Sequence, residues 1–400
     1  MNLTSDLPFW TVRNGLIRVY PALDADIRCD ALVVGGGISG ALLAHELVGR
    51  GVDCVLIDRR DIGFGSTSAS TALLQYEIDT PLYKLRKKVG AEAAEAAYLL
   101  GVDSIRRLQK LAGAECGFAL RPSLQVATAE SDVAGLRKEY DARRELKLAV
   151  TFLTRADLHR RGIEGAGALR SSVAAEVDPY RLTHRLLRLG CARGLRVFDR
   201  TSALKYKTAL KYKGRGVRVT TDRGAGITCR KIFFASGYES QDILPDKIVR
   251  LKSTYALISE PLTDLKWWKE RALIWGTGDP YFYMRTTRDN RVIVGGEDDG
   301  VLEPRRRDKR IPAKMNRLLR RFGKLFPGKA IEPAFGWAGT FGSTRDGLGY
   351  IGPAPGFPKA YFALGFGGNG ITFSEIASGV LADLFMGKKN AAAKIFRFGR

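Results

Sequence analysis

Residues 30–58, DALVVGGGISGALLAHELVGRGVDCVLID, predict a strand, a glycine-rich turn, a helix and a second strand. Ala31–Val34 and Cys54–Ile57 are uninterrupted apolar runs, which are typical of buried strands in parallel sheets. Between them, Ala41–Val48 has helical character. About thirty residues is the size of a β-α-β unit. The stretch therefore favours an α/β fold built on a parallel sheet.

The glycines of the turn have the spacing of a dinucleotide-binding motif. Gly35 permits the tight turn, Gly37 lets a pyrophosphate approach the backbone, and Gly40 lets the helix pack closely on the strand. The start of the helix offers free N–H groups and a positive dipole end to the phosphates. Asp58 ends the second strand, where a carboxylate binds ribose hydroxyls. We predict a bound dinucleotide; the alternative is a glycine-rich turn beside a solvated aspartate.

The segment after Asp58 helps to distinguish NAD from FAD, which share this motif. Asp58 disfavours a 2′-phosphorylated nucleotide, although Arg59 and Arg60 weaken that inference. Ile62–Thr71 is a run of small and hydroxyl-bearing residues. A long ligand that crosses the sheet edge would use such a run, whereas a simple NAD domain has no need of it. The alternative for this run is a flexible loop.

The composition is that of a globular protein with a strongly basic surface. The 400 residues include 65 Lys and Arg against 42 Asp and Glu, for a formal net charge of +23. Such an excess could attract nucleic acid, an anionic membrane or an acidic substrate. No nucleic-acid motif accompanies the charge, so we favour a solvated, Arg-rich surface and do not expect nucleic acid as a partner.

The cysteines and the N-terminal residues favour a cytoplasmic location. The five cysteines are dispersed and form no CxxC pair, which fits a reducing compartment. Residues 1–20 lack the continuous apolar stretch of a signal peptide. No segment is long and apolar enough to span a bilayer, so we expect no transmembrane segment.

Seven motifs in family order, together covering most of the chain, resemble those of a known superfamily. They are Val33–Gly40 with Asp58, Gly65–Thr71, Asp178–Tyr180 at a helix start, Ala235–Tyr238 after a strand, Arg291–Gly296, Asp346–Gly352 and Gly365–Thr372. The ordered set resembles the D-amino-acid-oxidase-like (DAO) superfamily of FAD-dependent oxidoreductases, which includes glycine oxidase, sarcosine oxidase and γ-glutamylputrescine oxidase. The resemblance implies FAD as the cofactor.

The resemblance also implies which residues bind FAD. The pyrophosphate would lie at Gly35, Gly37, Ile38, Ser39 and Gly40, the adenosine ribose at Asp58 and Arg59, and the pyrophosphate and flavin along Ser66, Thr67, Ser70 and Thr71. Ala203 would face the adenine, Ser236 and Gly237 would lie near the dinucleotide, and Gly367, Gly368, Asn369, Gly370, Ile371 and Thr372 would approach the flavin. Some sarcosine oxidases tether the flavin to a cysteine near the position of Phe341, but no cysteine follows Cys229 here, so we predict non-covalent FAD.

The two glycine-rich regions near opposite ends of the chain imply discontinuous domains. We predict an α/β fold with a Rossmann-like FAD-binding domain made of residues 28–90, 170–245 and 335–400. A discontinuous second domain, for the substrate, would comprise residues 91–169 and 246–334 on a mainly antiparallel sheet. Within it, residues 305–329 have the apolar stripe and basic face of an amphipathic helix, whose stripe we expect on the protein's own core.

The substrate side departs from the family members that bind small amino acids. Glycine oxidase has arginines near the positions of Phe341 and Gly368, and sarcosine oxidase has lysines near those of Thr372 and Ile293; none of these four residues is charged here. A small amino acid bound by such a clamp and a fast reaction with oxygen are therefore disfavoured.

What remains to contact the substrate is mainly aromatic. Our candidate catalytic residues are Tyr281, Tyr283, Arg285 and Phe341. The alternative is that Tyr281, Tyr283 and Arg285 form one face of a solvent-exposed strand. His45, His159 and His184 lack a nucleophile context and are interpreted as structural or surface residues. Glu297–Asp299 is interpreted as a turn, and no metal site is predicted.

These observations favour an FAD-dependent oxidoreductase that oxidises the C–N bond of an amine or amino acid. Hydride transfer to flavin N5 would give an imine, which water hydrolyses. The partners would be a small-molecule amine or amino acid and an electron acceptor, either O2 or a carrier. Two alternatives stay open: a dehydrogenase of a hydroxy acid or glycerol phosphate, and a tRNA-modifying flavoprotein that uses the basic face of residues 305–329. A third alternative is a protein that binds flavin without catalysing a reaction.

Overall fold

The computed structural model describes residues 1–5, 7–204, 216–278 and 280–400, and the backbone of 211–213. Its strands, in chain order, are β1 (Ile27–Val34), β2 (Cys54–Ile57), β3 (Leu73–Gln75), β4 (Ala119–Ala127), β5 (Val150–Thr154), β6 (Gly167–Glu176), β7 (Arg196–Phe198), β8 (Lys211–Lys213), β9 (Gly216–Thr220), β10 (Gly226–Phe234), β11 (Arg250–Ser259), β12 (Leu273–Gly276), β13 (Phe282–Thr286), β14 (Val292–Asp299), β15 (Pro333–Ser343), β16 (Tyr350–Pro353) and β17 (Ala360–Leu364).

The α-helices, in chain order, are α1 (Phe9–Asn14), α2 (Ile38–Gly49), α3 (Ser66–Ala69), α4 (Leu82–Val89), α5 (Ala91–Leu111), α6 (Glu130–Glu145), α7 (Arg155–His159), α8 (Pro179–Cys191), α9 (Pro304–Asp308), α10 (Ile311–Leu325), α11 (Gly370–Phe385) and α12 (Ala392–Ile395). None of these described helices is both long and apolar enough to cross a bilayer.

The first sheet has the parallel core that residues 30–58 predict. Six of its eight strands follow the order β16-β17-β10-β1-β2-β7, and the pairs from β17 to β7 are all parallel. The other two extend the sheet through antiparallel pairs of β9 with β10 and of β8 with β9. Helices α2, α8 and α11 pack together beside it. Every residue of β2 is buried, as expected for a strand covered on both faces. The Rossmann-like part of the predicted fold is confirmed.

The turn between β1 and α2 depends on two glycines. Gly35 has φ +114°, and a Cβ on it would lie 2.5 Å from the carbonyl oxygen of Ala235 on the neighbouring strand. A Cβ on Gly40 would lie only 1.8 Å from the Gly35 carbonyl oxygen. A side chain at either position would push the helix away from the sheet. The helix begins at Ile38, three residues before the predicted helical stretch.

The second sheet is mainly antiparallel, as predicted. Its strands follow the order β15-β11-β14-β13-β12-β4-β6-β3, with β5 also paired to β6. Of these pairings, β12 with β4 is parallel and the others are antiparallel. Strand β3 lies wholly, and strands β6 and β15 lie mostly, in ranges that the sequence analysis assigned to the FAD-binding domain. Long-range pairing decides their sheet, and the domain limits stay a prediction.

The basic segment 305–329 forms two helices rather than one. It divides into α9 and α10. Pro312 lies in the first turn of α10, where a missing N–H costs no hydrogen bond within the helix. Leu318, Phe322 and Leu325 are buried in a core cluster that includes Trp268. The expectation that this apolar stripe packs on the protein's own core is confirmed.

Candidate active site

One cavity of about 600 Å³ collects residues from both sheets. It extends from the turn after β1, past α3, to the N-terminus of α11 and the inner face of β13. Its volume is within the range of small-molecule and cofactor sites. Because the carboxyl ends of β1, β2 and β10 open onto it, the cavity occupies the usual ligand position of a parallel α/β sheet.

At the N-terminus of α2 the cavity wall is made of backbone and hydroxyl groups. The amide of Ile38 donates to Oγ1 of Thr67 at 3.0 Å, which ties α3 to the start of α2. A Cβ on Gly37 would lie 2.9 Å from the same oxygen. Oγ of the neighbouring Ser66 is buried and has no hydrogen-bond partner among the described residues. This hydroxyl is therefore free for a ligand.

Asp58 is fixed by the backbone on both sides of its carboxylate. Oδ2 accepts from the Gly36 amide at 2.6 Å, and Oδ1 accepts from the Arg60 amide at 2.7 Å. Burial raises the pKa of Asp58 to about 6, although these two hydrogen bonds oppose the shift. Arg59 and Arg60 both pair with Glu239, so their charges are directed to that carboxylate.

Three consecutive carbonyls along the cavity are hydrogen-bonded to large buried side chains. Trp337 Nε1 donates to the Ala69 carbonyl at 2.9 Å, and Trp10 Nε1 donates to the Ser70 carbonyl at 2.6 Å. Arg285 Nε donates to the Thr71 carbonyl at 2.6 Å. These bonds fix the path of the segment whose other face lines the cavity.

Arg285 therefore lies behind the cavity wall rather than in it. It is 2% exposed and does not line the cavity. Its guanidinium also donates to the Val177 carbonyl and lies 3.7 Å from the carboxylate of Glu176. The sequence pattern predicts that Arg285 lies beside the substrate. In the structure the backbone of Thr71 lies between Arg285 and the cavity.

The N-terminus of α11 is tied to the chain that follows β3. Asn369 Nδ2 donates to the carbonyls of Gln75 and Glu77, at 3.1 and 2.8 Å. The Gly368 amide donates to Oδ2 of Asp79 at 3.0 Å. Thr372 is buried and donates to the Asn369 carbonyl, so its hydroxyl stabilises the first turn rather than facing the cavity. The positive end of a sixteen-residue helix is thereby directed at the cavity.

The far end of the cavity has an aromatic wall. The rings of Tyr281 and Tyr283 lie 5.7 Å apart between centroids, and Trp275 is edge-on to Tyr281 at 6.4 Å. A Cβ on Gly295 would lie 2.4 Å from the Tyr283 ring, so the glycine makes room for it on β14. Burial raises the pKa of Tyr283 to about 12, so this phenol is neutral at physiological pH.

The structure brings most of the predicted site residues together. Every predicted cofactor residue except Gly40 and Thr372 lines the cavity, as do Tyr281, Tyr283 and Phe341. Gly40 contributes through the close packing of α2. The three histidines are not part of the wall: His45 and His184 are buried elsewhere and His159 is exposed.

The acidic residues of the cavity are the main feature that the sequence analysis missed. Gln75, Glu77 and Asp79 line it, whereas the intervening Tyr76 and Ile78 are buried in a core cluster. This alternation continues β3 and is a period-two signal that could have been read from the sequence.

Asp298 lies in Glu297–Asp299, which the sequence analysis interpreted as a turn. This interpretation was wrong, because the three residues form the bent end of β14. The flanking Glu297 and Asp299 pair with basic residues of α10 and the residue before it, while Asp298 lines the cavity. Gly296, with φ +129°, and Glu297, with φ +57°, bend the strand at this point. Because of this bend and the alternation of side chains, Asp298 faces the cavity while Glu297 and Asp299 face α10. Local sequence could not predict this difference.

Comparison with known proteins identifies the family. The model of the DAO family, described as FAD dependent oxidoreductase, matches residues 30–384. The chain belongs to this family. Its cofactor is FAD, and it is an FAD-dependent oxidoreductase.

Relatives and solved structures agree with that assignment. The chain is 26% identical to γ-glutamylputrescine oxidoreductase of Escherichia coli over 388 residues, covering 92% of this chain and 86% of that protein. It is 23% identical to glycine oxidase of Geobacillus kaustophilus over 381 residues, covering 91% and 94%. The crystal structure of glycine oxidase from G. kaustophilus matches with a TM-score of 0.75, 21% identity and coverage of 91% and 96%. L-proline dehydrogenase from P. horikoshii matches with a TM-score of 0.76, 18% identity and coverage of 93% and 97%. These structural likenesses establish the fold.

Proposed function

We propose that this protein oxidises the C–N bond of an amine or amino acid, using non-covalently bound FAD. The substrate carbon loses a hydride and the nitrogen loses a proton, which gives an imine. Water then hydrolyses the imine to a carbonyl compound and ammonia, or an amine where the nitrogen was substituted. The two electrons leave to O2 or to a carrier. The relatives named above, γ-glutamylputrescine oxidoreductase and glycine oxidase, support this class of substrate by their names.

The described residues fit FAD. Asp58 lies where ribose hydroxyls would donate to it, and the free Ser66 hydroxyl lies beside the N-terminus of α2, where a pyrophosphate would accept from it. A Cβ would fill the narrow space at Gly37. Because glycine has none, the backbone there can approach the phosphates closely. The N-terminus of α11 would face the flavin. When bound, FAD supplies the oxidising equivalent by accepting the hydride.

One observation carries the proposal: the N-terminus of α11 and the aromatic wall of Tyr281 and Tyr283 belong to the same cavity. A flavin at α11 and a substrate against the wall would therefore be adjacent, which is the arrangement that hydride transfer requires. The wall excludes water from the reacting carbon and orients the substrate. The hydroxyls of Tyr281 and Tyr283 keep their protons, because burial raises the pKa of both. They act as neutral hydrogen-bonding groups rather than as bases.

The test is anaerobic mixing of the FAD-loaded protein with panels of amines, N-methyl amino acids, D- and L-amino acids, and 2-hydroxy acids. We expect the visible flavin absorbance to bleach with amines or amino acids. Return of the colour on admitting air would identify O2 as an acceptor, and a colour that returns only with an added carrier would identify a dehydrogenase. Bleaching by hydroxy acids alone would refute C–N oxidation.

A further inference from the structure

The substrate end of the cavity is more acidic than an amino-acid site requires. Among the described residues that line it, Glu77, Asp79 and Asp298 are acidic, and Lys252 is the basic residue at this end. All three acids line the same cavity as Tyr281, whose pKa is raised by burial and further by their charges. Burial raises the pKa of Asp298, and the charge of Lys252 opposes that shift.

The other cations near these acids are already paired. Arg143, which contacts Glu77 at 3.5 Å, also pairs with Glu139 at 2.7 Å, and all three are nearly inaccessible to solvent. Lys314 on α10 pairs with Asp299 and donates to the Glu297 carbonyl. The single guanidinium of Arg143 thus pairs with two buried carboxylates, Glu77 and Glu139. This leaves a net negative charge at the substrate end of the cavity. Uncompensated charge at low dielectric is costly unless a ligand supplies the opposite charge.

Unpartnered buried atoms provide independent evidence for a polar ligand here. Glu77 is 4% exposed, and its Oε2 has no hydrogen-bond partner among the described residues. Trp275 is 6% exposed, and its indole Nε1 likewise has none. Both residues line this end of the cavity. Buried polar atoms are usually satisfied in a folded protein, so atoms left free beside a cavity indicate a ligand, or water in its place.

We propose that the substrate has a second, cationic nitrogen besides the amine that is oxidised, and that Asp79 and Asp298 bind this cation. The inference rests on the proposed function. The reacting nitrogen must be neutral, because its lone pair forms the C=N bond as the hydride leaves. A positive charge that the acids bind is therefore on another group, as in a diamine or an amine with a guanidinium group.

The local energetics agree with this arrangement. Desolvation raises the pKa of Asp79, and burial raises that of Asp298 to about 6. Their mutual repulsion contributes to the shift of Asp298. A bound ammonium would offset both effects by favouring the ionised carboxylates. A substrate carboxylate would instead meet repulsion from three acids and attraction from Lys252.

The experiment compares three probes of equal chain length on the FAD-loaded protein: an alkanediamine, an alkylamine in which methyl replaces the second ammonium, and an amino acid in which a carboxylate replaces it. Binding is measured from the flavin difference spectrum, from thermal protection, and as the apparent Kd from the dependence of the anaerobic reduction rate on probe concentration. We expect the diamine to bind at least tenfold more tightly than the alkylamine, and the amino acid to bind most weakly.

Variants assign the preference to the two acids. Asp79→Asn and Asp298→Asn should each reduce the tenfold difference to less than threefold. In Asp79→Asn the amide oxygen can still accept from the Gly368 amide. FAD retention should persist in both variants and show that each is folded. Asp103→Asn, at a 53% exposed side chain on α5, is the matched control and should leave the preference unchanged.

The outcomes separate this inference from the proposed function. Equal binding and oxidation of diamine and alkylamine would overturn the inference and leave C–N oxidation standing. Tightest binding of the carboxylate-bearing probe would overturn it in favour of Lys252. Selective, Asp79-dependent binding of the diamine without any flavin bleaching would support the cation site and refute amine oxidation.

Discussion

Replacing Arg285 with methionine tests whether this residue supports the FAD site or contacts the substrate. Methionine fills similar space but removes the charge and the donors. The wild-type guanidinium donates to the carbonyls of Thr71, Thr286 and Val177 at 2.6, 3.1 and 3.1 Å, and approaches Glu176 at 3.7 Å. All of these contacts are lost in the variant.

The expected cost follows from burial. Removing one partner of a buried charge pair costs about 3–5 kcal/mol, because the remaining charge stays desolvated. Glu176 retains Arg121 at 2.9 Å, which favours the lower end of that range. We therefore expect Arg285→Met to lower the free energy of unfolding of the FAD-free protein by about 3 kcal/mol. FAD affinity should also fall, because the Thr71 carbonyl loses its donor.

Urea unfolding of the FAD-free protein, followed by tryptophan fluorescence, measures the first effect, and titration with FAD measures the second. Arg288→Met is the matched control: Arg288 lies three residues further on, is exposed, and should change stability by less than about 0.5 kcal/mol. A loss below about 1 kcal/mol with unchanged FAD affinity would refute the reasoning. If only the KM for substrate then rose, Arg285 would contact the substrate after all.

Four further predictions concern the cofactor site. Gly40→Ala should yield protein without FAD, because its Cβ would lie 1.8 Å from the Gly35 carbonyl oxygen. The control Gly49→Ala, in the same helix, should retain FAD, because its Cβ would be 3.5 Å from the nearest atom of Arg193. Equal flavin content in the two purified variants would contradict this prediction. FAD affinity should fall as pH drops below about 6, where Asp58 gains a proton, and Asp58→Asn should bind weakly with no such pH dependence in a fluorescence titration. Because burial raises the pKa of Asp58 from 3.8, this residue makes the FAD-free protein less stable as pH rises from about 4 to about 6, and Asp58→Asn should remove that decrease. Finally, acid precipitation should leave the flavin in the supernatant, since none of the five cysteines is among the described residues of the cavity wall; flavin in the pellet would indicate a covalent bond.

The nucleotide-binding half of the site could be predicted from sequence because its determinants are local. Gly35, Gly37 and Gly40 act on a turn of a few residues, and Asp58 follows the next strand at a spacing that the β-α-β geometry fixes. Apolar runs identified β1 and β2 for the same reason: a strand buried on both faces is apolar throughout. The stripe of α10 was similarly predictable, since Leu318, Phe322 and Leu325 recur at the helical period.

The substrate half depended on tertiary structure. Residues 281, 283 and 285 alternate along β13 and the residue before it, and sequence alone gave them the same role. The Thr71 backbone, 214 residues away in the chain, separates Arg285 from the cavity. Asp79, which accepts from the Gly368 amide at the N-terminus of α11, and Asp298, at the bent end of β14, line one cavity although they lie more than 200 residues apart in the chain. Local patterns determine which face of an element is polar, but the pairing of distant strands decides which polar faces meet and which charges remain without a partner.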